Sequence, residues 1–290
     1  MRFIIAAFNS HKFYDILNFL CADTYDDLDE NVYLRYTQDK LVIFKNSTYI
    51  KTFIDLNKLS FEYYENTLNF EELSIQKWAL CMFINICKKY QNMYDLEFCI
   101  DNNQSEKIDI SLTRNNNLIH NFSIPFNVDY NNTIQINLDI VNMKTNYDIE
   151  FNMLSSKLGD ITHESYVLDC EIANKSKIVC TFNEESIEFE TQSKQIIMND
   201  GNNISLTYKH VLHTNENFNY YPTTIINNDI SCEIDTFIFN NLKNIDLITR
   251  TLKMSFSSID TQKPNEIYMK MQTIDKQYIL DYVITCYINR

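Results

Sequence analysis

Histidines, cysteines and paired carboxylates are what a 290-residue chain would use to build a catalytic or metal site. None is convincingly spaced for one here. His210 and His213 are three apart at the end of a stretch that reads as a strand, and they read as an ordinary exposed pair. His163-Glu164 and Asp26-Asp27 are no more specific. The sequence carries no G-x-G-x-x-G, Walker, G-x-S-x-G or H-E-x-x-H motif. With two glycines in the chain, a loop that cradles phosphate is nearly excluded. The eight cysteines form no C-x-x-C pair and mostly sit in apolar runs, which reads as buried thiols in a reducing compartment. No catalytic residue, metal site or cofactor is expected, and the chain reads as a binding module rather than an enzyme.

Charge sets a condition on any nucleic-acid partner. The chain carries 39 acidic and 25 basic residues, a formal net charge of −14. A uniformly acidic surface repels phosphate, so DNA binding requires basic side chains gathered on one surface. One segment reverses the overall balance. Ser74–Asn92 contains Lys77, Lys88 and Lys89 and no Asp or Glu. The stretch Thr236–Ile245 is also free of acids and carries Lys243.

The elements that position these lysines follow from periodicity. Residues 2–8 open a strand, not a signal peptide. Ser10 then reads as an N-cap before Phe13, Ile16, Leu17, Leu20 and Cys21, whose spacing predicts an amphipathic helix. Short β-rich runs cross 31–70. A helix is predicted from Ser74, with Ile75, Trp78, Ala79, Met82, Phe83, Ile86 and Tyr90 on one face and Trp78 in the core. Strands follow at Leu96–Ile100, Ile108–Thr113 and Leu118–Phe126, then a polar connector at Tyr130–Thr133.

The second half repeats the order. Ile134–Ile140 and Tyr147–Met153 read as strands, and a weaker helix interrupted by Gly159 falls within Ser155–Asn174. A hairpin turns at Asn183-Glu184-Glu185. Asp235 caps a helix running to about Ile245, and three strands close the chain. The repeated order implies a duplicated α+β unit, with domains at 1–130 and 131–290 joined near 125–134. With 45% apolar residues the chain can fill such cores, and no stretch approaches a membrane span.

This architecture resembles sliding clamps of the PCNA type. Within that superfamily, Met1-Arg2-Phe3 followed by strand and helix resembles the start of the Hus-type subunit of the checkpoint clamp (the 9-1-1 complex). Leu34-Arg35-Tyr36-Thr37-Gln38-Asp39-Lys40-Leu41 is similar to that family's first hairpin. His120-Asn121-Phe122-Ser123-Ile124-Pro125-Phe126-Asn127-Val128 resembles the segment leading into its interdomain connector. Ile230–Leu242 resembles the strand and helix that begin the last quarter. The poorly formed helix around Gly159 and the acidic total charge depart from the pattern.

The resemblance implies two tandem clamp domains, with helices lining one face of curved antiparallel sheets. It implies a nuclear, non-catalytic subunit that encircles duplex DNA without reading sequence. Two related subunits would complete a heterotrimer, and an RFC-type loader would open it for DNA-damage signalling and repair. The DNA-facing candidates are Lys12, Lys77, Lys88, Lys89, Lys157 and Lys243. Partner peptides would dock near the connector residues Pro125, Phe126, Val128 and Tyr130. A homotrimeric PCNA-like processivity factor, cellular or viral, remains open. So do an enzyme with an unrecognised site and a β-rich secreted or viral surface protein, which would require disulfides.

Overall fold

The computed structural model describes residues 1–21, 30–46, 50–68, 70–101, 106–115, 117–142, 149–161, 177–183, 185–192, 196–197, 203–204, 207–213, 220–222, 230–235, 242, 244–257, 268–273 and 282–289. The chain divides into two compact units. One contains Met1–Thr145 with Lys276–Cys286, the other Asn146–Asp275 with Tyr287–Arg290.

The first unit begins with β1 (Arg2–Ile5), α1 (Ala7–Cys21), β2 (Asn31–Tyr36), β3 (Lys40–Asn46), β4 (Ile50–Asn57) and β5 (Tyr63–Glu65). It continues through β6 (Glu72–Gln76), α2 (Lys77–Cys87), β7 (Asp95–Cys99), β8 (Lys107–Arg114), β9 (Asn117–Pro125), β10 (Asn127–Val128) and α3 (Thr133–Asn142). One sheet runs β5-β1-β7-β8-β9, and a second places β10-β6-β2-β3-β4 in order. Alternation builds the sheets: along β2 every second residue, Val32, Leu34 and Tyr36, is buried. The turn at Thr37-Gln38-Asp39 fixes the β2–β3 register, with Thr37 N–H donating to Lys40 O at 3.0 Å.

The second unit contains β11 (Ile149–Leu154), a helical segment at 155–161, β12 (Lys177–Phe182), β13 (Ser186–Gln192), β14 (Ile196–Ile197) and β15 (Asn203–Ile204). Then come β16 (Thr207–His213), β17 (Tyr220–Pro222), β18 (Ile230–Asp235), β19 (Thr251–Ser257) and β20 (Tyr268–Thr273). The final strand, β21 (Tyr282–Asn289), belongs to the first unit through Cys286. The second unit's sheets repeat the first unit's plan. The order β17-β11-β19-β20 corresponds to β5-β1-β7-β8, and β16-β13-β12-β18 to β4-β3-β2-β6. The expected hairpin forms between β12 and β13, and the Asn183 side-chain oxygen accepts the N–H groups of Glu185 and Ser186.

Each core is aromatic. In the first unit Phe3 stacks on Phe98 at 4.5 Å, and Phe13 and Phe83 meet Phe98 edge-on, which fastens α1 and α2 to the sheet. In the second, Phe182 and Phe256 lie 4.7 Å apart, and both contact Phe151.

Four sequence expectations need correction. Ser10 is not an N-cap, because α1 already starts at Ala7, whose N–H donates to the Asp95 carboxylate at 2.8 Å. The helix predicted from Ser74 begins at Lys77, since Ser74–Gln76 pairs with Tyr33–Asn31 as strand. The buried face of that helix is Ala79, Leu80, Phe83, Ile84 and Cys87, while Trp78, Met82 and Ile86 are 40%, 54% and 42% exposed. Almost every residue of α2 is apolar, so periodicity could not choose the face. Finally, Ile134–Ile140 is helix, not strand. Ile134, Ile136, Leu138 and Ile140 alternate with polar residues and imitate a strand, but carboxylates from elsewhere in the chain cap a helix there.

The weaker helix expected around Gly159 is present at 155–161. The continuation of that stretch, the Asp26-Asp27 and His163-Glu164 pairs, and most of the helix expected after Asp235 lie outside the described residues.

Candidate nucleic-acid interface

α1 and α2 pack side by side, α1 against β7 and α2 against β6 and β9. The helix surface away from the sheet carries most of the described candidate lysines. Lys12 on α1 and Lys88 after α2 both act on the Asp15 carboxylate, together with His11, so both lysines lie within electrostatic reach of one acid. Burial nevertheless pushes the Asp15 carboxyl above its ordinary value, against the pull of these cations. Lys88 and Lys89 are exposed. The Lys89 ammonium lies 4.7 Å over the Tyr90 ring, a cation–π contact that steadies it at the surface. Tyr90 in turn meets His120 of β9, ring centres 4.8 Å apart.

Lys77 is not on this surface. Its side chain is 4% exposed and points at Glu30, with Nζ 3.9 Å from the carboxylate. Lys45 approaches the same carboxylate at 3.4 Å and donates to Leu20 O at 2.8 Å. Burial first, then repulsion from Lys77, pulls the Lys45 ammonium down to about 7. The acid-free stretch therefore mixes two roles. Its first lysine neutralises a half-buried acid, and its last two face solvent. Lys157, half-buried in the second unit, reaches Asp160 at 3.7 Å. Lys243 lies outside the described residues.

The connector residues divide similarly. Pro125 is exposed, Phe126 is buried near Phe70 at 6.0 Å, and Val128 in β10 pairs with Leu73 of β6. Tyr130 is 84% exposed. The following turn is tied down rather than loose. The Asp129 carboxylate accepts the N–H groups of Asn131 and Thr133 at 3.0 and 3.1 Å. The Glu72 carboxylate accepts those of Ile134 and Gln135 at 2.9 and 3.2 Å. Arg35 donates to Gln135, and Lys51 donates to Asn137 at 2.8 Å, so α3 is anchored to β2 and β4 within the first unit.

Sequence reasoning missed the apolar stripe Trp78–Met82–Ile86 on the exposed side of α2, and it missed the Lys45–Glu30–Lys77 cluster. One signal pointed to the cluster: Lys45 directly follows the buried run Leu41-Val42-Ile43-Phe44. Among the described residues, no group of three or more His, Cys, Asp or Glu side chains is arranged to hold a metal.

This repeated α+β plan is the fold of solved PCNA structures, which match the chain end to end. A PCNA2–PCNA3 complex from Sulfolobus tokodaii matches over 100% of this chain and 98% of its own, at 16% identity and a TM-score of 0.66. PCNA from Thermococcus kodakaraensis matches over 100% and 99%, at 11% identity and 0.67. The proliferating cellular nuclear antigen of Entamoeba histolytica matches over 99% and 97%, at 11% identity and 0.63. No family model and no curated protein matches the sequence.

Proposed function

We propose that this chain is a non-catalytic subunit of a ring-shaped DNA sliding clamp, with the α1–α2 layer turned toward the phosphates of duplex DNA. The observation that carries the proposal is the full-length fold match to PCNA chains.

The open strand edges support it. In the first unit β4 is bordered by the chain's last strand, β21. Among the described strands its counterpart in the second unit, β16, lies at a sheet edge, and so does β9 in the first. An unpaired edge exposes a row of N–H and C=O groups that favours pairing with another chain. A subunit with one such edge in each unit can hand β9 to one neighbour and β16 to the other, which closes a ring. Lys12, Lys88 and Lys89 then supply sequence-independent phosphate contacts.

Within this reading we place the chain in a nuclear heterotrimeric checkpoint clamp of the 9-1-1 type, opened by an RFC-type loader and acting in DNA-damage signalling and repair. The Hus-like segments support that assignment, and one of the matching structures is itself a complex of two different PCNA chains. A homotrimer is the second reading, because one chain carries both kinds of edge.

Light scattering on the purified chain tests both. A monomer that joins related chains on co-purification supports the heterotrimer, and a stable trimer supports the second reading. Retention on nicked circular duplex, lost when the circle is linearised, tests encirclement itself. Equal retention on both DNAs contradicts it.

A further inference from the structure

Trp78, Met82 and Ile86 stand four residues apart on α2, so they share one face, and all three are exposed among the described residues. The stripe is about 12 Å long, and Lys89 continues its line one turn further with Lys88 beside it. Trp78 is the chain's only tryptophan. Its indole N–H donates to the Gln76 side chain, so its one polar atom is satisfied and what it turns outward is apolar ring. α1 runs antiparallel beside α2. The Ser10 hydroxyl near its start accepts the Asn92 N–H past the end of α2 at 2.8 Å, and Tyr14 meets Phe83 with ring centres 6.0 Å apart. A second exposed aromatic, Phe8, therefore lies toward the Lys88–Lys89 end. Across Ala7–Cys21 and Lys77–Tyr90 the only acid is Asp15, against Lys12, Lys88 and Lys89 outside the Glu30 cluster.

A duplex has no use for such a stripe. Its base faces are stacked inside, and it turns phosphates and groove edges outward. A single strand offers base faces together with a row of phosphates. We propose that the α1–α2 layer also binds single-stranded nucleic acid, with one base stacked on the Trp78 indole, neighbouring bases packed along Met82 and Ile86, and the backbone held by Lys88 and Lys89. Every base has an apolar face, so this binding tolerates any sequence. An apolar protein face would cover the stripe but leave the two ammonium groups without anions, whereas a strand supplies both. The inference deepens the reading of the α1–α2 layer as the nucleic-acid face and rests on it, but it needs no closed ring.

The test titrates the full chain with three labelled probes: an oligothymidylate, an abasic strand of equal length and a blunt duplex. Anisotropy reads binding, and the fluorescence of the single tryptophan reads stacking. Oligothymidylate should quench Trp78 and bind at least about 5-fold more tightly than the abasic strand, the worth of one stacked base. Trp78→Ala should remove the difference between the two strands, and Trp78→Phe should keep most of it. Lys88→Glu with Lys89→Glu should weaken binding of both. Equal binding of the two strands by the wild-type chain overturns the inference, even if Trp78→Ala does not fold. So does protection of Trp78 from acrylamide in the chain alone, which would mean that another copy covers the stripe. Duplex binding without quenching by either single strand overturns this inference alone. No binding to any probe overturns it together with the reading of the layer on which it rests.

Discussion

The side chain of Glu72, wholly buried at the start of β6, accepts the backbone N–H of Ile134 at 2.9 Å across 62 positions of sequence. A second carboxylate does the same for α1, where Asp95 accepts the N–H of Ala7. These helices start where a distant acid meets otherwise unpaired donors, a favourable placement near the positive end of the helix. Burial still pushes the Glu72 carboxyl above its ordinary value, with the N–H groups of Ile134 and Gln135 and the Arg35 guanidinium opposing the shift.

Glu72→Ala should therefore free two helix donors and leave Arg35 without this partner. The expected cost is about 1–3 kcal/mol, comparable to losing a cap or a buried acceptor. Amide hydrogen exchange at Ile134 and Gln135 should accelerate beyond the global change. Glu72→Gln, which retains one acceptor oxygen, should lose less. Equal exchange in all three proteins would contradict the capping role.

Lys45 predicts a pH dependence. Its pKa falls from the ordinary 10.5 of a lysine to about 7 in the folded protein, so the native state holds this proton less tightly than the unfolded chain. The group's penalty is full below about pH 7 and fades as pH rises toward 10.5. Lys45→Met should be neutral or stabilising at pH 6, by up to about 2 kcal/mol, and comparatively less favourable at pH 10. Denaturant titrations at the two pH values check the sign.

The two sides of α2 should respond differently to substitution. Met82→Gln, on the exposed stripe, should change stability by no more than about 0.5 kcal/mol. Phe83→Ala should cost about 3–5 kcal/mol, because Phe83 is 3% exposed and packs edge-on against Phe98. Similar losses for both would mean that the exposed stripe is covered.

Leu118 and Ile119 on the β9 edge are 61% and 42% exposed. If β9 pairs with a neighbouring subunit, Leu118→Lys with Ile119→Lys should block assembly while leaving the thermal midpoint of the isolated chain nearly unchanged. Light scattering with and without partner chains reads the first effect, and calorimetry reads the second.

Lys88→Glu with Lys89→Glu should weaken retention on DNA and lower the slope of log affinity against log salt by about 2. Lys77→Met should leave that slope unchanged, because Lys77 is buried against Glu30. Equal effects from the two variants would place the basic surface elsewhere.

Much of this protein was legible without coordinates, because local rules govern it. The 3.6-residue spacing of Phe13, Ile16, Leu17 and Leu20 marked α1, and those residues are buried. The polar turn at Thr37-Gln38-Asp39 marked the β2–β3 hairpin, and Asn183 marked another. The repeated strand–helix order gave the duplicated α+β plan.

Tertiary structure decided what local pattern leaves degenerate. A helix apolar on all sides, such as α2, has no preferred face until a sheet selects Leu80, Phe83 and Ile84 over Trp78, Met82 and Ile86. An alternating run such as Ile134–Ile140 becomes helix when a carboxylate more than sixty residues away satisfies its first donors. A lysine's role depends on what its ammonium meets. Lys77 and Lys88 share one acid-free segment, yet one is buried beside Glu30 and the other is solvated. Residue types and periods set the inventory of elements, but long-range pairing of charges and hydrogen-bonding groups assigned their roles.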